Sequence, residues 1–328
     1  MKKVKGIWLS LVALCVVLAL VGCSSGEAAG GKVVIYTNGD EAASDAMASA
    51  LDAAGYEDKY MLQSLGTSEL GGKLMAEGDK IEADLVTMSS YFIESAQQEH
   101  DMFTDVTVDT KALEQHPAYY APILANTGAI FVNTEVLKDK GLPMPTSLKD
   151  LAQPEFKGLV SVPNIMASST GWLFVQAIIS EYGEEEGQSV LRDLIANTGP
   201  HLESSGSGPI KKVQAGEVAA GFGLRYQAVV AKESGLPIAY VDPIEGNFSL
   251  TEAVAVVKKD EETTKLAMEM AAIITKDARE ELLEHYPVAL YEGETVTDVN
   301  KPAHAKQFDQ PLTVELLQQH QEFFKAAN

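Results

Sequence analysis

Short apolar runs of strand length recur along this chain, each followed by a polar, glycine- or serine-bearing loop and then by a helical stretch. Lys32-Val33-Val34-Ile35-Tyr36 has the near-continuous hydrophobicity of a buried parallel strand, and it enters Thr37-Asn38-Gly39-Asp40-Glu41 ahead of an alanine-rich helix. Tyr60-Met61-Leu62-Gln63 leads in the same way to Gly66-Thr67-Ser68-Glu69 and a helix through Glu77. A third unit runs from Ala83-Asp84-Leu85-Val86-Thr87 into Met88-Ser89-Ser90-Tyr91. The pattern resumes further on: Gly128 to Thr134 and Gly158 to Pro163 read as strands, and Ser168-Ser169-Thr170-Gly171 opens an apolar helix. Ser204-Ser205-Gly206-Ser207-Gly208-Pro209 opens another, the strand 217–222 leads to Gly223-Leu224-Arg225-Tyr226, and Ile238 to Val241 is one more strand. The fold class this predicts is α/β, with two doubly wound sheets flanked by helices. Residues 32–127 with 251–290 form lobe 1, residues 128–250 form lobe 2, and 291–328 are read as C-terminal helices closing the fold. The hinge crossings fall near Asn126–Phe131 and Thr251–Val257, and Tyr286-Pro287-Val288 reads as a turn between helices. Ligands of such sheets sit at the carboxyl ends of strands, where helix N-termini present free N–H groups.

The first residues follow a different pattern. Lys2, Lys3 and Lys5 precede an apolar run from Ile7 through Val21 that only Ser10 interrupts, so 1–22 is read as a secretory signal. Leu20-Val21-Gly22-Cys23 closes it, and a small-polar stretch, Ser24 to Gly31, follows as a flexible tether. The alternative is a plain signal anchor with an incidental cysteine. Cys15 and Cys23 are the two cysteines of the chain, so the body holds neither a disulfide nor a thiolate metal site. A net charge of -22 makes nucleic acid and anionic membrane surfaces poor partners, and loss of the signal lysines makes the mature chain more acidic still.

Leu20-Val21-Gly22-Cys23 resembles the lipobox of bacterial lipoproteins, which implies lipidation of Cys23 and an extracytoplasmic chain held to the outer face of the membrane by that lipid alone. Pro145-Thr146-Ser147-Leu148-Lys149-Asp150-Leu151, Pro154, Phe156-Lys157-Gly158 and Val162-Pro163, in that order, resemble a passage of type 2 periplasmic solute-binding proteins. Ala83-Asp84 before the third loop and Val213-Gln214-Ala215-Gly216-Glu217 before Arg225 extend the likeness over essentially all of 32–328. Leu148 departs from the tryptophan usual there. The resemblance implies a monomeric, two-lobed receptor with no cofactor and no enzymatic activity, which hands a small ligand to the permease and ATPase of an ABC importer.

Within that family the chain is most similar to ferric-iron binders and their 2-aminoethylphosphonate-binding relatives. The iron binders' paired tyrosines meet Tyr226 and Gln227 here, and their histidine and glutamate correspond approximately to Asp40 and Ser89, so iron is disfavoured and no metal site is expected. What the resemblance preserves is an anion seat: Ser169, Thr170 and Gly171 at one helix start and Ser207 with Gly208 at a second, to which Arg225 adds a two-pronged donor. With the loop residues Asn38, Asp40, Thr67, Ser68, Ser89, Ser90 and Tyr226, these make the candidate site. Duller readings stand beside it: Ser68 and Ser207 as ordinary N-caps, 204–208 as a linker, and Arg225 in a structural salt bridge. The leading expectation is a phosphonate receptor. Asp40, Glu41, Glu69, Glu245 and Glu252 are candidate partners for a ligand amine, and Tyr91 and Tyr226 are candidate aromatic walls. A polyamine or thiamine receptor is the alternative within the class. A hydrolase is the alternative outside it, although no nucleophile elbow or His–carboxylate pair at motif spacing is present.

Overall fold

The computed structural model describes residues 31–108 and 110–328; Cys23 and nearly all of the proposed tether lie outside them. The first lobe opens with β1 (Val33–Thr37), α1 (Glu41–Ala53), β2 (Tyr60–Ser64), α2 (Thr67–Glu77), β3 (Leu85–Ser89), α3 (Ser90–His100) and β4 (Phe103–Thr104). A long strand, β5 (Ala121–Asn133), carries the chain into the second lobe. There follow α4 (Thr134–Lys140), α5 (Leu148–Leu151), β6 (Val160–Pro163), α6 (Thr170–Thr198), β7 (Leu202–Glu203), α7 (Gly208–Gln214), β8 (Ala220–Leu224), α8 (Arg225–Glu233) and β9 (Ile238–Val241). The strand β10 (Asn247–Val257) returns, and α9 (Glu261–Lys276), α10 (Arg279–His285), β11 (Ala305–Lys306) and α11 (Val314–Ala327) complete the fold.

The strands form one mixed sheet in the order β2-β1-β3-β10-β5-β8-β6-β7. β1 pairs in parallel with β2 and β3; β1 and β3 are near-continuously apolar, as strands covered on both faces are, whereas β2 is the partly exposed edge. β5 belongs to both lobes: Ala121–Thr127 pairs antiparallel with β10, and from Gly128 onward the same strand pairs with β8. The crossing is therefore one residue step, Thr127 to Gly128. A Cβ at Gly128 would collide with the Phe222 ring, so only glycine lets β5 pass so close to the lobe 2 core. Thr127 Oγ1 meets Ser249 Oγ at 2.7 Å, and Asn247 Nδ2 donates to Gly128 O at 2.8 Å, tying the two hinge strands together.

The apolar stripe of α6 buries Trp172, Leu173 and Phe174 against the sheet, and α11 packs along it through Phe324. α6 is two helices joined at Gly183, whose φ of 68° breaks the turn. On the opposite face of lobe 1, α1, α9 and α10 cover Val33, Ile35 and Val254. α7 and α8 cover Phe131 and Ile238 in lobe 2.

Two expectations need correction. Residues 291–328 are not a set of helices: α11 is their α-helix, and Asp298–Asn300 is a short 3-10 turn in an otherwise irregular stretch. Likewise Tyr286-Pro287-Val288 ends α10 without starting another helix. This irregular stretch is a strap pinned at two points. Arg279 donates to Glu294 Oε1 at 2.7 Å, to Val288 O at 2.7 Å and to Ile123 O at 3.2 Å; Arg225 donates to Val299 O at 2.9 Å and to Lys301 O at 3.4 Å. Carbonyls in a segment without regular structure must find donors, and here two arginines supply them.

Candidate ligand-binding cavity

Strand β1 ends at Thr37, and its loop Asn38-Gly39-Asp40 delivers α1 to the crevice between the lobes. β2 ends at Ser64, and Leu65-Gly66 delivers α2 beside it. From lobe 2 come Ser168-Ser169-Thr170 at the start of α6 and Ser204-Ser205-Gly206-Ser207 before α7. These four loops, with Asn126 of β5, Glu252 of β10 and Tyr286, line a cavity of about 270 Å³. That is close to the lower end of the range of about 300–1,000 Å³ typical of small-molecule pockets.

The serines at the N-cap positions of α6 and α7 do not cap them, although Ser168 Oγ accepts from Thr170 N at 3.3 Å. Ser169 and Ser207 occupy the N-cap positions without bonding their helices through their side chains, and α2 also starts without a side-chain cap. Asp260 caps α9 by accepting from Thr263 N at 3.0 Å and Thr313 caps α11 by accepting from Leu316 N at 3.1 Å, whereas α10 starts without a side-chain cap and α1, which starts at the cavity, is capped by Asp40. Among the described residues, the backbone N–H groups of Gly66, Ser205, Gly206 and Ser207 find no protein acceptor. The close fit of the two lobe 2 loops needs glycine: a Cβ at Gly206 would overlap Thr170 Oγ1, and one at Gly171 would overlap the Ile165 backbone. Free N–H groups, hydroxyls and the positive end of α6 thus face one volume, the arrangement that holds oxyanions.

Two carboxylates share that cavity, and they differ in state. Asp40 is saturated: its Oδ1 accepts from Ala43 N at 3.3 Å and from the Tyr286 hydroxyl, and its Oδ2 accepts from Tyr226 Oη at 2.8 Å and Gln227 Nε2 at 3.3 Å. Burial, with the Asp40 charge beside them, raises both tyrosine pKa values and keeps these groups phenols. Because Asp40 lies in lobe 1 and Tyr226 on α8 of lobe 2, the bond closes one wall of the cavity. Glu252 is different. Its Oε1 accepts from Ser89 Oγ at 2.9 Å and from Asn38 Nδ2 and Asn126 Nδ2 at 3.4 Å each. Burial pushes its carboxyl up to about 7, and the nearby Asp40 adds to that, against the lowering effect of the three donors. A bulge opposes Glu252 to Leu124 and Ala253 to Pro122, leaving Ile123 of β5 as the extra residue. Bulges re-aim neighbouring side chains, and this one lies next to the cavity floor.

Of the residues singled out from sequence, Asn38, Asp40, Thr67, Ser169, Thr170 and Ser207 line the cavity. Ser89 lies behind it as the donor to Glu252, and Tyr226 forms its outer wall through Asp40. Gly171 and Gly208 serve packing, and Ser68 does not face the cavity. Ser90 faces another pocket, on the far side of the hinge strands. Arg225 is the principal correction. Its Nε donates to Asp242 Oδ1 at 2.7 Å and its Nη2 to Asp242 Oδ2 at 3.2 Å, and its guanidinium lies 4.6 Å from the Tyr240 ring centre. With the strap carbonyls also taken, the guanidinium is spent on the architecture and is absent from the cavity lining. Burial pushes the Asp242 carboxyl up, but Arg225 and its other donors outweigh this and hold it below the usual range.

Sequence reasoning placed Glu252 only among possible amine partners and missed Asn126, Ser204, Ser205 and Tyr286. For Glu252 the signal was present: an acid inside the apolar run Leu250-Thr251-Glu252-Ala253-Val254 demands a reason. Tyr286 follows α10 and carried no such signal.

Residues 82–315 match the family described as bacterial extracellular solute-binding protein. An uncharacterized protein of Haemophilus influenzae is 28% identical over 152 residues, a match spanning 45% of this chain and 43% of that relative. Among solved structures, a periplasmic thiamin binding protein superimposes with a TM-score of 0.74 at 16% identity, covering 92% of this chain and 97% of that one. The periplasmic binding protein AfuA from Actinobacillus pleuropneumoniae, with fructose-6-phosphate bound, gives 0.69 at 20% identity, covering 90% and 93%. At such identities these likenesses establish the two-lobed fold of type 2 periplasmic binding proteins. With the match over 82–315, the chain belongs to the bacterial extracellular solute-binding proteins.

Proposed function

We propose that this chain is the substrate-binding lipoprotein of an ABC importer, held to the outer face of the membrane through Cys23, and that it captures a small phosphonate by closing its two lobes. The observation that carries this reading is the convergence of uncapped, hydroxyl-rich helix starts from both lobes on one small cavity. A phosphono group presents three oxygens to such donors, and excluding water strengthens each charge-assisted hydrogen bond. Residues from both lobes must touch the ligand, so capture favours the closed form, the state an importer can distinguish from the empty one. 2-Aminoethylphosphonate is the best single match, because its few atoms suit the cavity and its amine suits the carboxylates.

A second reading has one observation in its favour. Asp40, Tyr226 and Tyr286 bring a carboxylate and two phenols together, all hard oxygen donors of the kind ferric iron takes. It is the weaker reading because the three groups satisfy one another and Tyr226 lies outside the cavity lining.

Thermal shift against 2-aminoethylphosphonate, phosphate, ferric citrate, putrescine and thiamine tests the proposal, since a ligand that binds only the folded state raises its melting temperature. The expected result is a rise with the phosphonate that exceeds every other. A larger rise with ferric citrate, accompanied by tyrosinate-to-iron colour lost in Tyr226→Phe, would establish the second reading instead.

A further inference from the structure

Among the described residues, the cavity lining contains two carboxylates and no lysine, arginine or histidine. Asp40 needs no further partner, whereas Glu252 takes all its hydrogen bonds on Oε1, and among the described residues none reaches Oε2. Glu252 is 4% exposed, so this is a buried acid without a counter-charge. Beside it, Asn38 Oδ1 and Asn126 Oδ1 are enclosed acceptors with no donor, because both amides turn their Nδ2 toward Glu252. Buried acceptors left in this state are costly, and native proteins keep them only for a reason. Titratable groups facing Glu252 offer no compensation: Asp40 of the α1 loop is acidic, and the Tyr91 hydroxyl of α3 is buried, unpartnered and held as a phenol by that burial.

We infer that Glu252, flanked by Asn38 and Asn126, is the seat of a primary ammonium group, so that the ligand is a compact aminoalkyl zwitterion and not a simple anion. The inference rests on the phosphonate reading for the other end of the ligand. An ammonium supplies three N–H donors and one positive charge to a place that lacks both. The seat is built on four neighbouring strands: Asn38 follows β1, Ser89 ends β3, and Asn126 and Glu252 lie on the hinge strands β5 and β10. The amine would thus rest on the hinge while the anion rests on the helix starts. Because burial brings the Glu252 carboxyl close to neutrality, the empty cavity holds a fraction of a proton there, and an arriving ammonium displaces it to solvent.

Titration calorimetry on the purified protein tests this with 2-aminoethylphosphonate, its deamino twin ethylphosphonate, and putrescine, on wild type and Glu252→Gln. Wild type should prefer the amine-bearing phosphonate over its twin by at least about thirtyfold, and Glu252→Gln should abolish that preference. In wild type at pH 7, heats in two buffers of different ionisation enthalpy should reveal proton release, absent from the variant. Equal affinity for the two phosphonates, or a preference that survives Glu252→Gln, overturns the ammonium seat and leaves the anion reading standing. Binding of putrescine alone, lost in Glu252→Gln, upholds the seat and defeats the anion reading. Failure of all three probes to bind overturns both. Glu252→Gln is near-isosteric and removes an uncompensated charge, so it should melt no lower than wild type at pH 8, which separates lost recognition from lost folding.

Discussion

Arg225 and Glu252 are buried to the same degree, 4% exposed each, and both are ionisable residues near the hinge, Arg225 just past the end of β8 and Glu252 in the middle of β10. Arg225 meets a carboxylate in a two-pronged pair, two strap carbonyls and an aromatic face. Glu252 has three neutral donors crowded on one oxygen and, among the described residues, no cationic partner. The first is a charge whose environment is complete; the second is a charge whose environment is short of one cation. Burial alone does not separate a structural charge from a functional one, and the inventory of its partners does.

The largest test of that contrast is Arg225→Ala. Leaving Asp242 uncompensated and two carbonyls without donors should cost about 3–5 kcal/mol, a drop in melting temperature on the order of 10 °C. Ligand affinity of the folded fraction, measured by calorimetry, should stay near wild type. Arg225→Lys keeps the charge without the planar fork and should recover only part of the stability. A collapse of affinity with stability intact would return Arg225 to the binding site.

The next effect is on pH dependence, where the two carboxyls have opposite signs. Glu252 has a folded pKa raised to about 7, so its contribution to stability is full below about 4.5 and is lost as pH rises through 7. The amount is on the order of 3 kcal/mol. Asp242 is depressed, so its contribution is present above its unfolded value and lost as pH falls through its folded one. His320 opposes Glu252 in the same window: burial lowers its pKa to about 4, and stability is lost as pH falls from about 6.5 toward that value. The difference between wild type and Glu252→Gln, followed by urea denaturation from pH 4.5 to 8, isolates the carboxyl. A flat difference would show that Glu252 carries no buried, uncompensated charge.

Smaller still is Thr170→Val, which keeps the shape against Gly206 and removes the hydroxyl. Phosphonate affinity should fall by about 1 kcal/mol, roughly fivefold, with stability changed by less than about 0.5 kcal/mol. The smallest effect on the body is expected of Cys23→Ser. Fractionation should find the variant released from the membrane, while its affinity and melting temperature match wild type.

The contrast also explains what could be read from sequence. Parallel strands covered on both faces must be apolar throughout, so β1, β3 and β6 announce themselves, and the small polar loops after β1, β2 and β6 mark the rim of a cavity. β5 was read only from Gly128, because Pro122, Asn126 and Thr127 break its apolar run; those residues belong to the bulge, the ammonium seat and the hinge. The arginine at 225 was seen at a strand end, but its partners are Asp242 and carbonyls at 299 and 301, distances in sequence that no local pattern encodes. Glu252 stood out as an acid in an apolar strand, yet its incompleteness emerges only when β1, β3 and β5 are brought beside β10.

The strap pinned by the two arginines acts as a rein. It is fastened to lobe 1 by Arg279, which also grips the bulged Ile123, and to lobe 2 by Arg225. Opening the lobes therefore draws on the chain between those two fastenings, from Glu294 to Val299. Because both ends of that stretch are already held, it adds little to the ordering entropy lost on capture.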